Sequence, residues 1–484
     1  MIEVKVNQES FAYDIHSLIK AFYPEEEVNV REKDTFTEAA ALKMSADIGE
    51  AEIEFALYEN QALQKKSRVC VENPDRRLVK NQLKQVIYQT LSDYTGRTLP
   101  WGTLTGIRPV KIPMAMLEQG RSNVEIADYM RSTYLCSKEK TALAVSIANR
   151  EREVLKGLDY GEGYSLYVGI PFCPSICLYC SFSSSPIKRW KKQVEAYLEA
   201  LFTELRFLGN AFRGGRLNTI YVGGGTPTTL TAEQLHRLMS VLEKCFDYGY
   251  LRELTVEAGR PDSVSSEKFR VLKAHGVTRV SVNPQTMNQE TLDLIGRKHT
   301  VEETREAFFM AREAGFDNIN MDLIVGLPGE EKEQVAHTLT ELRALGPDSI
   351  TVHSLAVKRA ARLKLFQEEY REMGLKNSQE IMDLAYRSCV EQGLYPYYLY
   401  RQKNMAGNFE NVGYAKVDKA GIYNILIMEE KQTILAAGAG GATKFVLNPD
   451  HIERVENVKD VAQYMSRIEE MIERKRSFLR ANGF

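Results

Sequence analysis

The chain has few cysteines, almost no net charge and no long apolar run, and each shortage excludes a class of protein. Seven cysteines among 484 residues are too few for a disulfide scaffold, which points to a reducing compartment. Lysine and arginine number 63 against 65 acidic residues, a formal net charge of -2, so no global field draws the chain to a membrane surface or to nucleic acid. No uncharged apolar stretch approaches the ~18 residues of a transmembrane helix. The opening MIEVKVNQES also lacks a basic region followed by an apolar one. The expectation is a cytoplasmic protein without a membrane span, and nucleic acid is disfavoured as a partner. What is present is ordinary globular material, 44% apolar and 26% charged, with length for about three domains at ~150 residues each.

Three of the cysteines stand together. Cys173-Pro-Ser-Ile-Cys177-Leu-Tyr-Cys180 puts three thiols on one short loop, with three and then two residues between them. Thiolates suit iron-sulfur clusters, and three ligands to a four-iron cluster leave one iron open to bind something else. Structural zinc wants four ligands, usually in two separated pairs, and no partner pair follows downstream. Cys70, Cys136, Cys245 and Cys389 stand alone. Cys70, in the run RVCVE, and Cys245, in VLEKCF, read as small buried hydrophobes.

Residues 1–155 read as an α+β module of their own. MIEVKV, EVNVRE, AEIEFALYEN and SRVCVE have strand character, while SFAYDIHSLIKAFY, RRLVKNQLKQVIYQTLSDYTG and the stretch from Val110 to about Leu158 have helical spacing. The glycine-broken loop from Trp101 to Pro109 reads as a packed connector, and Lys65, Lys66, Arg68, Arg76 and Arg77 as a solvated basic face. RNA contact by that basic stretch is the sharper minority reading.

From residue 156 to 360 the pattern changes. SLYVGI, NTIYVGG, ELTVEA, RVSVNP, NINMDLIV and SITVHS alternate with amphipathic helices, which predicts βαβ crossovers and a parallel sheet closing part of a barrel. Ligand sites in such folds gather at the carboxyl ends of the strands. The cysteine loop, Gly223 to Thr228, Glu257, Gln285, Arg297 and Asp322 all fall there. Glycines after TIYV let backbone amides approach a ligand, and neither a P-loop lysine nor GxGxxG spacing is present. Residues 361–484 read as a mixed, mainly helical, substrate-covering domain, with the charged amphipathic tail from Asp460 to Leu479 as a lid.

The motifs YVGIPFCPSICLYCSF, YVGGGTPT, SVNPQTMN, LIGRKHT and NMDLIVGLPGE, in that order, resemble the radical S-adenosylmethionine (SAM) enzymes. Within them, the chain is similar to the oxygen-independent coproporphyrinogen III dehydrogenase (HemN/HemZ-like) family, over roughly residues 160 to 450. The resemblance implies a partial (β/α)6 barrel and a 4Fe-4S cluster on Cys173, Cys177 and Cys180. The open iron is then chelated by SAM. Tyr167, Gly223 and Glu257 match contacts to that SAM. Tyr179, Gly224, Gly225, Gln285, Arg297, Asp322 and Ala356 match positions that hold a second SAM or line its pocket. Two positions depart from the family, Gly169 where histidine is common and Phe182 where a fourth cysteine is common.

The implied function is a cytoplasmic oxidoreductase of haem biosynthesis that decarboxylates coproporphyrinogen III oxidatively to protoporphyrinogen IX, with a flavodoxin or ferredoxin-type reductant. A haem chaperone, or another radical SAM enzyme that alkylates or opens the tetrapyrrole, is the alternative. Arg189, Lys358, Arg359 and Arg362 are candidate partners for the propionates. Tyr397, Tyr398, Tyr400, Phe409 and Tyr414 offer aromatic faces either to a flat tetrapyrrole or to a core, and Gly438 to Thr443 matches a late glycine-rich turn that closes over SAM.

Overall fold

In the computed structural model, which describes residues 1–32, 36, 40–181, 184–356, 377–402, 409–448 and 451–483, two compact units are distinguished. One comprises residues 1–149 with 401 and 402; the other comprises residues 150–400 with the described residues beyond 408. Among the described residues no helix is long and apolar enough to cross a membrane.

The first unit is built on alternation. Strands β1 (Ile2–Val6), β2 (Val28–Glu32), β3 (Leu42–Ile48), β4 (Glu52–Glu59) and β5 (Ala62–Cys70) form a sheet in the order β2-β1-β3-β4-β5. β1 is parallel to both neighbours, and β3, β4 and β5 form an antiparallel meander. Helices Ala12–Phe22 and Arg76–Thr95 bury Leu18, Phe22, Leu83 and Ile87 in one core with Phe55 and Leu57 of β4. The longer helix starts where the Asp75 carboxylate accepts the Arg77 and Leu78 amides and ends at Gly96, whose φ of 68° is left-handed. β3 was not expected, because Lys, Met, Ala and Asp are weak strand formers; pairing on both sides makes it a strand.

Trp101 is fully buried, and a Cβ on Gly102 would stand 2.0 Å from the Tyr134 carbonyl, so this loop is a packed connector. The basic stretch meets acids on its own surface: Lys65 pairs with Asp93, and Lys66 and Arg68 pair with Glu54. Cys70 departs from its reading. It ends the edge strand β5 and is exposed, while Cys245, the last residue of helix Ala232–Cys245, is only partly buried.

The second unit carries the alternating pattern. β6 (Gly163–Ile170) is followed by two short strands, β7 (Phe172–Cys173) and β8 (Ser185–Pro186), which pair with each other. Then come β9 (Arg216–Gly224), β10 (Glu253–Glu257), β11 (Arg279–Ser281), β12 (Ile319–Val325) and β13 (Ser349–Ser354). β6, β9, β10, β11, β12 and β13 are hydrogen-bonded side by side in chain order, all parallel, with helices in every connection. This is the partial (β/α)6 barrel. Thr231 with Gln234 and Thr300 with Glu303 form capping boxes that start two of the returning helices.

Among the described residues the carboxyl-terminal segment is mixed and mainly helical, as expected, and its strands join the barrel's sheet. β14 (Tyr395–Tyr400) and β15 (Asn411–Ala415) extend the sheet antiparallel beyond β13, and β16 (Thr433–Ala437) runs parallel to β6 at the other side. β17 (Ala442–Asn448) and β18 (His451–Glu456) continue from β16. No unit boundary falls near residue 360. Helix Ile468–Ala481 packs on helix Val194–Ala211, with Lys475 Nζ 2.6 Å from Glu204 Oε1 and both side chains fully buried.

Candidate functional site

The parallel register of β6 and β9 sets the floor of the barrel mouth. Tyr167 lies beside Tyr221 and Gly169 beside Gly223, so the repeated Tyr-Val-Gly of the two strands is in phase. The two tyrosine rings stack at 6.3 Å, and Tyr423 stacks on Tyr221 at 4.6 Å. The Tyr221 hydroxyl donates to Glu257 Oε1 at 2.5 Å. A methyl on Gly223 would stand 2.8 Å from the Tyr221 ring and 3.2 Å from the Glu257 carboxyl, so glycine keeps the space above them open. Burial pushes the Glu257 carboxyl up to about 7, against the pull of the Tyr221 hydrogen bond.

The cysteine loop is tied down at both ends. The Gly225 and Thr226 amides donate to the carbonyls of Ile170 and Phe172 at 2.7 Å, which joins the loop to the turn after β9. On its far side the Leu178 amide donates to the Ile295 carbonyl at 2.9 Å and Ser175 Oγ to that of Gly296 at 3.1 Å. Leu178 is buried with Leu292, Ile295, Ile324, Leu327 and Leu355. The intervening loop therefore has little freedom.

Its three thiols each meet a different polar neighbour. Cys173 Sγ lies 3.5 Å from Thr226 Oγ1, Cys177 Sγ 3.6 Å from Arg260 Nη1 and Cys180 Sγ 3.9 Å from Ser184 Oγ. A Cβ on Gly225 would come within 3.0 Å of Cys173 Sγ and 2.6 Å of the Phe172 carbonyl, so only glycine fits beside this cradle. Burial lifts the Cys173 thiol to about 11, a cost that iron coordination would reverse. Among the described residues no three Cys, His, Asp or Glu side chains are placed around a single metal ion. In a four-iron cluster each thiolate binds a different iron, so the residues present fit that group on chemistry and spacing of the loop.

The opposite wall holds the remaining expected residues. Arg297 is buried and donates to the Tyr179 hydroxyl at 3.1 Å and to the Gly259 and Asn283 carbonyls at 2.7 and 2.6 Å. Gln285 has a left-handed φ of 70° and bridges to β12, where its amide donates to the Asp322 carbonyl at 3.0 Å. The Asp322 carboxylate accepts Asn320 Nδ2 at 2.6 Å and lies 3.5 Å from His353 Nε2. Burial works to raise this carboxyl, yet the bonds from His353 and Asn320 prevail and hold it below its ordinary range. Ala356 follows the end of β13.

Four residues in this region were not anticipated: Tyr221, Arg260, His299 and His353. Tyr221 was legible, since its strand repeats the Tyr-Val-Gly of Tyr167. His299 is buried with neither ring nitrogen hydrogen-bonded, and burial, then Arg297 and Arg260, push it down to about 3, so it is neutral. His353 links Asp322 to the Tyr400 hydroxyl, which lies 3.3 Å from Nδ1. His299 was in view as part of LIGRKHT, whereas nothing in the local sequence marks His353.

Other expectations dissolve into packing. Tyr397, Tyr398, Phe409 and Tyr414 are buried side chains, which leaves Tyr400 as the partly exposed member of the aromatic group. Arg189 is exposed on the short helix Ile187–Trp190; Lys358, Arg359, Arg362 and Phe182 lie outside the described residues. The late glycine turn joins β16 to β17, and a Cβ on Gly438 would stand 2.4 Å from the Gly169 carbonyl.

Comparison with known proteins gives the family and the fold. Residues 167–342 match the Radical SAM superfamily. The oxygen-independent coproporphyrinogen-III oxidase-like protein HemZ of Bacillus subtilis (strain 168) is 41% identical over 406 residues, 83% of this chain and 81% of that protein. The haem chaperone HemW of the same organism is 39% identical over 197 residues, 40% of this chain and 51% of its own. The oxygen-independent coproporphyrinogen III oxidase of Escherichia coli (strain K12) is 32% identical over 220 residues, 46% of this chain and 47% of its own. Against these last two the chain matches about half of the relative's length. The solved structure of coproporphyrinogen III oxidase (HemN) from Escherichia coli, described as a radical SAM enzyme, shares the fold with a TM-score of 0.52 at 24% identity, over 66% of this chain and 73% of that one.

Proposed function

This chain belongs to the radical SAM oxidoreductases of the coproporphyrinogen-III oxidase-like (HemZ) family, which use a 4Fe-4S cluster and SAM, and we propose that it oxidatively decarboxylates coproporphyrinogen III to protoporphyrinogen IX without oxygen. The observation that carries the reading is the 41% identity to HemZ across four fifths of both chains. In this reading Cys173, Cys177 and Cys180 hold the cluster. Tyr167, Gly223 and Glu257 hold the SAM at its open iron, and Tyr179, Gly224, Gly225, Gln285, Arg297, Asp322 and Ala356 line a pocket for a second SAM. The setting is cytoplasmic, with a flavodoxin or ferredoxin-type protein as reductant.

When bound, the cluster on Cys173, Cys177 and Cys180 together with SAM would supply hydrogen abstraction from a propionate β-carbon, and loss of carbon dioxide and of one electron to an external acceptor would balance formation of the vinyl group. The chain's part is to position and to shield. Gly223, Gly224 and Gly225 allow main-chain amides to come close to a ligand. Glu257, fixed by Tyr221, is an acceptor for an ammonium group, and Asp322, held ionised by His353 and Asn320, is one for sugar hydroxyls. The stacked rings of Tyr167, Tyr221 and Tyr423 keep water from the floor.

The identity to HemW supports a second reading, a haem chaperone. Anaerobic incubation of the cluster-loaded chain with SAM, reductant and coproporphyrinogen III separates the two. A vinyl-bearing product with loss of carbon dioxide is expected. Stable haem binding together with 5'-deoxyadenosine formation but no vinyl product would replace decarboxylation with the chaperone reading.

A further inference from the structure

Arg260 stands three residues past the end of β10, in the sequence TVEAGRPDS, and is only 3% exposed. Asp262 grips it twice, accepting Nε at 2.9 Å and Nη2 at 2.8 Å. Two prongs fixed on one carboxylate orient the third. That third prong, Nη1, reaches the cysteine loop, at 3.1 Å from Ser175 Oγ, 3.3 Å from the Ser175 carbonyl and 3.6 Å from Cys177 Sγ.

The mount beneath it is equally fixed. The Arg260 carbonyl accepts Ser263 Oγ at 2.6 Å, and that hydroxyl shares a 2.7 Å bond with Thr228 Oγ1 in the turn after β9. Lys268 Nζ donates to the Thr228 and Ser263 carbonyls, both at 2.7 Å. The guanidinium is therefore held by the β9 and β10 turns and presented to the middle thiol of the loop. Asp262 alone would be satisfied by an arginine lying anywhere on the surface; a structural ion pair does not account for the prong aimed at sulfur.

We propose that Arg260 is a positioning residue for the cluster, donating a charge-assisted N–H···S bond to Cys177 that raises the cluster's reduction potential while its bonds to Ser175 fix the loop. A hydrogen bond and a positive charge beside a ligand sulfur stabilise the more negative, reduced cluster, and burial keeps that effect unscreened. The inference rests on the assignment of Cys177 as a cluster ligand.

The test uses the full chain, reconstituted anaerobically with iron and sulfide, and reads iron content and the midpoint potential by electron paramagnetic resonance before SAM is added. Arg260→Lys and Arg260→Leu are expected to keep wild-type iron content while the potential moves negative, further for leucine, which loses the charge as well as the fork. Asp262→Asn, which loosens the guanidinium without removing it, moves it the same way by less, and it reads the proposal should the Arg260 variants fail to load. A potential unchanged or raised in any loaded Arg260 variant, or unchanged in Asp262→Asn if only that one loads, overturns the proposal. Cys177→Ala is the separate control: if it retains a full cluster, the ligand assignment has failed, and not Arg260's part in it.

Discussion

Glu204 and Glu257 are two carboxylates of the same unit, and they differ in how many donors they meet. Glu204 is fully buried and accepts Lys475 Nζ at 2.6 Å, Asn457 Nδ2 at 2.8 Å, the Gly438 amide at 2.9 Å and the Tyr464 hydroxyl at 2.5 Å. Glu257 has the Tyr221 hydroxyl and the Gly224 amide, and its carboxyl is pushed up to about 7 by burial. A saturated carboxylate stabilises the fold, whereas one short of donors keeps capacity for a ligand. The same contrast separates the region behind the Gly438 turn, where the tail helix closes a complete polar network, from the barrel mouth, where His299 and Arg297 Nε carry buried nitrogens without hydrogen bonds.

The comparison breaks most severely at the cysteines. Alanine at any of Cys173, Cys177 or Cys180 is expected to abolish both the cluster absorbance and SAM cleavage, measured after anaerobic reconstitution, while the melting temperature of the metal-free chain stays near wild type. Lys475→Met tests the saturated side. Removing one partner of a buried ion pair costs about 3–5 kcal/mol, so denaturant unfolding should show a loss of that size, with SAM affinity unchanged in the folded fraction. Gly223→Val tests the open side. Its side chain meets Tyr221 and Glu257, so SAM binding should weaken by at least about tenfold, ~1.4 kcal/mol, and the contact with the stacked Tyr221 ring should itself cost about 1–3 kcal/mol of stability.

The smallest effect is a pH dependence. A carboxyl raised to about 7 stays protonated in the folded chain while the unfolded chain ionises above its ordinary value of 4.5, so its contribution to stability falls between about pH 4.5 and 7 and is level above. Binding an ammonium group favours the ionised form. SAM affinity should therefore rise roughly tenfold from pH 6 to pH 8 by calorimetry, and Glu257→Gln should flatten that part of the profile.

Much of the second unit was legible because buried parallel strands are nearly continuously apolar, and because a strand-end glycine leaves a visible mark. The six core strands follow from that, and the cysteine loop from the spacing of its three thiols. β14 to β18 were not legible, since their partners lie far along the chain and local patterning does not report which sheet a strand joins. Tyr397 and Tyr414 fill a core, and an aromatic run reads the same whether it lines a pocket or a core. Arg260 looks like a surface base in Gly-Arg-Pro-Asp; only the fold brings it to Cys177, 83 residues earlier. Cys70 and Cys245 misled because burial depends on where an element ends as well as on what it contains.

In the proposed function the mouth of this barrel holds a cluster and SAM together. The most direct measurement is 5'-deoxyadenosine released from SAM by the cluster-loaded, chemically reduced chain without any tetrapyrrole present, with methionine counted alongside. Wild type and Lys475→Met should release equal amounts of the two per folded molecule, and Cys177→Ala none. A wild-type chain that carries four irons, binds SAM and releases no 5'-deoxyadenosine would contradict the proposed function.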